Sequence, residues 1–166
     1  MRVPRARAAA ELWLPALIVV ADQATKALVR SKLPLYGSVN VIPGMLDITH
    51  ATNSGAAFGI LSGVEFPYKA GLMVLIALVA LAAVGLYAIS LPAEQWIARL
   101  GLALILGGAL GNLIDRALTG FVIDFIDVYW RDYHFWAFNV ADSAITVGVV
   151  LMLADVLGVR RAPKTI

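Results

Sequence analysis

Long apolar stretches broken by short polar ones organise this chain. The clearest, Ala70 to Leu91, carries no charge. As a helix it is long enough to cross a hydrocarbon core about 30 Å thick. Three more stretches share the pattern but carry polar positions. The first runs from about Glu11 to Val29; its first half, LWLPALIVVA, is apolar, and its second half carries Asp22, Gln23 and Lys26. Another runs from about Trp96 to Ala117, with Gly107, Gly108 and Gly111 at its centre. The last runs from about Phe138 to Val159 and is entered through Asn139 and Asp142. The pattern predicts a single integral-membrane domain over residues 1–166, all-α, with four transmembrane helices. Val39–Ile42 and Met45–Ala51 are short β-rich runs around the turn dipeptide Pro43-Gly44, and they predict a small hairpin. Residues 121–130, FVIDFIDVYW, are too polar to span and are expected to lie along the interface or re-enter slightly. If that segment is helical, Asp124 and Asp127, three apart, share roughly one face.

Composition agrees with a membrane class. The chain is 61% hydrophobic and 14% charged, where a soluble domain carries roughly a quarter charged residues. Mean hydropathy is +0.85. There is no cysteine, which excludes disulfides, thiolate catalysis and Cys-ligated metals. His50 and His134 are expected in loops, too far apart for an H-x-x-x-H spacing, so neither a metal nor any other cofactor is expected. Net charge is only +2, with no basic stripe of the kind nucleic acid demands.

The basic residues do set an orientation. Four spans place both termini on one side, together with Arg2, Arg5, Arg7, Arg99, Arg160, Arg161 and Lys164. The positive-inside rule makes that side cytoplasmic and puts residues 30–69 and 118–137 outside. Tyr129, Trp130, Tyr133 and Trp136 gather at the outer boundary and Trp96 at the inner one, as aromatic belts do. Arg2, Arg5 and Arg7 before an apolar run imitate a secretion signal. Asp22, Gln23 and Lys26 stand where its small-residue cleavage site should be, so a retained first helix is expected.

Six charges lie within or at the edges of the apolar stretches: Asp22, Lys26, Asp115, Arg116, Asp124 and Asp142. A charge in hydrocarbon costs several kcal/mol, so it persists with a partner or a task. Asp22 and Lys26, four apart, share a helix face and can pair, which lowers the cost of insertion. Asn112, Asp115 and Arg116 share another face, and an Asp115–Arg116 pair would brace the end of the third span. Gly107 and Gly111 form a G-x-x-x-G that allows close helix approach. Asn53 opens NSGAAF, read either as a turn that brings backbone close to a ligand or as an ordinary turn.

Asp124 and Asp142 are the sharpest candidates for chemistry. Two carboxylates close together in a low-dielectric site cannot easily both ionise. One can then activate water while the other, protonated, donates to a carbonyl oxygen, which suits amide hydrolysis without a covalent intermediate. The competing reading has Asp142 capping the last span and Asp124 as a surface acid. Ser54, Ser62 and Ser143 have no histidine placed to activate them.

The motifs DQATK at 22–26, NSGAAF at 53–58, GGALGNLIDR at 107–116, VIDF at 122–125 and FNVADS at 138–143 occur in one order over nearly the whole chain. In these the chain resembles the lipoprotein signal peptidase family (signal peptidase II), bacterial membrane aspartyl proteases. The resemblance implies four transmembrane helices with a small outer β-cradle and an interfacial helix. It implies Asp124 and Asp142 as the catalytic dyad, with Asp22, Lys26, Asn53, Asn112, Asp115, Arg116 and Asn139 shaping or supporting the site. It also implies a location in the bacterial inner membrane, among its lipids. The implied substrate is a diacylglyceryl-modified prolipoprotein cut before its lipid-bearing cysteine, and the implied inhibitors are of the globomycin type. Two readings of a different kind stand beside it. A small proton-coupled transporter would string acids along the membrane normal and show an internal repeat. An assembly factor with structural charges alone would tolerate Asn at 124 and 142.

Overall fold

In the computed structural model, residues 5–55, 64 and 66–158 are described, the side chains from residue 13 onward. The elements run α1 (Arg5–Lys32), β1 (Ser38–Ile42), β2 (Leu46–Asn53), α2 (Lys69–Ser90), α3 (Trp96–Thr119), β3 (Val122–Trp130), β4 (Tyr133–His134) and α4 (Val140–Val156). Each of the four apolar stretches is a helix. α2 and α3 are each long and apolar enough to cross a membrane.

The helices are inverted relative to a water-soluble core. Large aliphatic side chains face outward: Val79 is 61% exposed, Ile89 80%, Val150 58% and Val156 71%. Asp22, Lys26 and Asn139, by contrast, are completely buried. Apolar surface of that extent suits lipid rather than water.

α3 is the central helix, and its glycines make it so. A Cβ on Gly107 would stand 2.9 Å from Ile18 Cβ and Pro15 Cα of α1, and one on Gly111 2.7 Å from Asp22 Oδ2. A Cβ on Gly101 would stand 2.6 Å from the Gly148 carbonyl of α4, and one on Gly108 would run into the Ala141 carbonyl. The G-x-x-x-G therefore seats α1, while a second pair of glycines seven apart seats α4. α3 stops at Gly120, whose φ of +82° is the left-handed cap conformation that glycine takes most easily, with its N–H bonded to Arg116 O. The chain reverses there and enters β3 at once.

The sheet is antiparallel with strand order β1-β2-β3-β4. The expected hairpin is β1–β2. Met45 N–H closes its turn on Ile42 O at 3.0 Å, with Gly44 at φ +77°.

Residues 121–130 do not form the interfacial helix that the resemblance implies. They form β3, whose first four residues are buried and whose far end emerges. The β-branched and aromatic content of VIDFIDVYW suits a strand, and both edges find partners. β2 pairs along one side, with Ala51 opposite Asp124 and Asn53 opposite Val122. On the other side, Phe125 and Ile126 donate to Phe138 O and Phe138 N–H donates to Ile126 O. Asp124 and Asp127 consequently point to opposite faces. His50 and His134 lie on strands rather than in loops. Among the described residues no further helix carries the interfacial role. Part of NSGAAF, residues 56–58, and Ser62 lie outside them.

Candidate active site

Five elements bring their polar residues to one place, where β2 and β3 meet α1, α3 and α4. The foundation is Lys26. Its ammonium lies 2.7 Å from Asp22 Oδ2 and 2.8 Å from Asp115 Oδ2, and donates to Asn112 Oδ1 at 3.0 Å. The Asp22–Lys26 pair expected within α1 is real, and it extends to α3. Lone pairs left on the two acids are taken by Gln23 Nε2, which reaches Asp115 Oδ1 at 3.0 Å, and by the Ala141 N–H, which reaches Asp22 Oδ1 at 3.0 Å. Ile123 N–H adds a bond to Asp115 Oδ2 at 3.3 Å. α1, α3, α4 and β3 are tied through this one ion cluster.

The expected Asp115–Arg116 pair is not what forms. Asp115 turns inward to Lys26, while Arg116 Nη2 donates to Gly55 O at 2.7 Å. Neighbours in sequence on a helix diverge by about 100°, so they serve different surroundings.

Asn139 is the hinge between the two candidate acids. It is the N-cap of α4: its Oδ1 accepts from Asp142 N–H at 2.9 Å, and its own N–H donates to Asp142 Oδ2 at 3.3 Å. That reciprocal pair is a capping box with aspartate in the third position. Its Nδ2 donates to Asp124 Oδ1 at 2.8 Å and lies 3.2 Å from both Asn112 Oδ1 and Ile123 O. Asn112 Nδ2 in turn donates to Asp142 Oδ1 at 2.7 Å. Asn53 Nδ2 reaches Asp124 Oδ2 at 3.3 Å, and its Oδ1 accepts from Gly55 N–H at 2.9 Å, so the turn and the contact share one side chain. Asp142 does cap the helix, as the competing reading held. Its side chain meets the cluster at the same time, so the two readings do not exclude each other. Asp124 is 5% exposed on the inner half of β3 and is no surface acid.

The electrostatics follow from this burial. Desolvation, then the neighbouring Asp142, push the Asp124 carboxyl up to about 7, against hydrogen bonds from Asn53 and Asn139 and the field of Lys26. A carboxyl poised near neutrality beside a second carboxyl can share a proton with it.

A model described as signal peptidase (SPase) II matches residues 14–158, which spans every residue of this cluster. The chain belongs to that family. It is 49% identical over 142 residues to the lipoprotein signal peptidase of Geobacter metallireducens, covering 86% of each chain. To the lipoprotein signal peptidase of Pseudomonas aeruginosa it is 42% identical, covering 91% of this chain and 89% of that one. A bacterial membrane enzyme solved by the in meso method at 2.3 Å superposes with a TM-score of 0.80 at 35% identity, covering 95% and 93% of the two chains.

All nine residues named for this signal peptidase II from sequence converge on the cluster. Sequence reasoning passed over two others. Gln23 was read only as a polar position, although its place beside Asp22 turns it toward α3. Lys69 stands just before the uncharged stretch Ala70–Leu91 with no motif to mark it, yet it is 5% exposed and donates to Ser54 Oγ at 2.9 Å.

Proposed function

We propose that this signal peptidase II removes the signal peptide from diacylglyceryl-modified prolipoproteins, cutting before the lipidated cysteine, with Asp124 and Asp142 as its acid–base pair. One observation carries the assignment of residues: acids from two separate elements, β3 and α4, converge on the single residue Asn139, Asp124 at its side-chain amide and Asp142 at its backbone N–H, where burial pushes the Asp124 carboxyl up to about 7. One carboxylate takes the proton of a water that attacks the scissile carbonyl, while the shared proton passes from the other to the carbonyl oxygen. In the second half of the reaction the acquired proton goes to the leaving amine. Lys26, Asp22 and Asp115 hold the floor, Asn112 and Asn139 orient the two acids, and Asn53 with Arg116 fixes the turn that faces them. No cofactor enters this scheme. A proton-coupled transporter does not fit a chain of this family.

In the bilayer the four helices span, both termini are cytoplasmic, and the sheet lies on the outer face of the inner membrane. The arginine and lysine bias supports this. A globomycin-type inhibitor would occupy the same cleft as substrate. The direct test is cleavage of a diacylglyceryl prolipoprotein by purified protein in detergent, with Asp124→Asn and Asp142→Asn beside it. Both variants should be inert though folded; cleavage by either at the parent rate overturns the dyad. Reporters fused after Ile166 and within 36–62 should report opposite compartments.

A further inference from the structure

A buried lysine stands outside the mechanism just described. Lys69 opens α2, where the positive end of the helix dipole disfavours a cation. It is nonetheless buried, and its ammonium donates to Ser54 Oγ at 2.9 Å. Helix stability does not account for a lysine in that place.

Ser54 sits in the middle of a three-residue turn held on every side. Before it, Asn53 donates to Asp124 Oδ2 at 3.3 Å. After it, Gly55 O accepts from Arg116 Nη2 at 2.7 Å and Gly55 N–H donates back to Asn53 Oδ1 at 2.9 Å. Arg116 approaches from α3 and Lys69 from α2, so the turn is gripped between two cations from adjacent helices. Asn53 is the last residue of β2, opposite Val122 of β3, and its side-chain amide is held at the oxygen by Gly55 N–H and turned with its nitrogen to Asp124.

We infer that Lys69 is a positioning residue for the peptidase reaction: through Ser54 it sets the turn that aims the Asn53 amide at Asp124. The inference rests on the dyad reading above. Its physical content is that the Asn53–Asp124 bond, the longest of those at the acid, is maintained from α2. Asn53 holds Asp124 lower than burial alone would, so releasing it lifts Asp124 further. The other charged groups that act on this carboxyl are Asp142 of α4, Lys26 of α1 and Arg116 of α3.

The test measures kcat, KM and the pH profile of prolipoprotein cleavage for Lys69→Met, Lys69→Arg, Ser54→Ala and the Lys69→Met/Ser54→Ala double variant, with Asp124→Asn as reference. Lys69→Met should lower kcat by about tenfold with KM little changed, a loss within the range that misplacement of reacting groups produces. Its alkaline limb should move to higher pH. Lys69→Arg should restore most of the rate, Ser54→Ala should shift the limb in the same direction, and the double variant should be no worse than the poorer single. Parent kcat and an unmoved limb in Lys69→Met overturn the inference, as does a loss carried wholly by KM. Should Lys69→Met fail to fold, Ser54→Ala decides alone, and a parent-like profile there overturns it. An active Asp124→Asn would overturn the dyad itself; an inert Asp124→Asn beside a parent-like Lys69→Met overturns only the role of Lys69.

Discussion

Two polar clusters in this molecule are built from similar chemistry and differ in setting. Beneath the sheet, Lys26, Asp22, Asp115, Asn112 and Asn139 are buried and joined by contacts of 2.7–3.2 Å. At the more exposed β1–β2 hairpin, half-buried Asp47 Oδ1 accepts from Asn40 Nδ2 at 2.6 Å and from Tyr129 Oη at 3.3 Å. The shortest of these contacts is in the more exposed cluster. Distance therefore does not rank them; surroundings do. A charged contact in water is worth about 0–1 kcal/mol, while stripping one partner from a buried pair costs about 3–5 kcal/mol. β3 runs between the two settings, with Asp124 at its buried end and Asp127, bonded to His134 at 2.9 Å, at its open end.

The widest separation between the settings should appear in catalysis. Asp124→Asn or Asp142→Asn should lower prolipoprotein cleavage by about 10²–10⁴-fold, the usual range for general acid–base groups, with the unfolding temperature nearly kept. Next comes Lys26→Met, which strands two buried acids and should cost about 3–5 kcal/mol of stability by chemical unfolding in detergent. If Asp47→Asn costs as much as Lys26→Met, the contrast of settings is broken.

Arg116→Ala sharpens the picture inside the buried side. Since Asp115 keeps Lys26, the loss should fall on activity, about tenfold or more, through the Gly55 turn, with little change in stability. A drop in stability matching that of Lys26→Met would return Arg116 to the ion cluster. The pH profile of cleavage should be bell-shaped, with the alkaline limb near 7 where the pair loses its shared proton. The same raised carboxyl makes a stability statement. Between about 4 and 7 the folded protein holds a proton at Asp124 that the unfolded chain has released, so this group's contribution to stability falls as pH rises through that window. A rate that stays flat to high pH would remove the required proton. Smallest of all is Asp127→Asn, on the opposite face of β3, expected to change the rate by less than about threefold while loosening the contact to His134.

The four helices were legible because hydropathy over twenty residues reports directly on a lipid-facing surface. The β1–β2 hairpin was legible because Pro43-Gly44 permits little else. β3 was not, since nine residues of mixed polarity suit an interfacial helix by composition, and only the partners on β2 and at Phe138 decide otherwise. The cluster's membership could be read from motif order. Its internal pairing could not: whether Asp115 turns to Arg116 beside it or to Lys26, 89 positions earlier, depends on how closely α1 approaches α3. Gly107 and Gly111 set that approach. Lys69 carries no signal of this kind, since a lysine at the end of an apolar run has the form of an ordinary boundary marker.

The span in sequence of these contacts has a consequence for how the protein is made. Asp22 is satisfied by Ala141, 119 residues later, and Asp124 by Asn139 from the opening of α4. A chain emerging from the ribosome carries Asp22, Lys26 and Asn53 long before it carries their completing partners. Until α4 joins, Asp142 is missing, Asp124 lacks Asn139, and Asp22 lacks the Ala141 amide. On the proposed dyad, half of the acid pair and the residue that joins the two acids arrive only with this last helix.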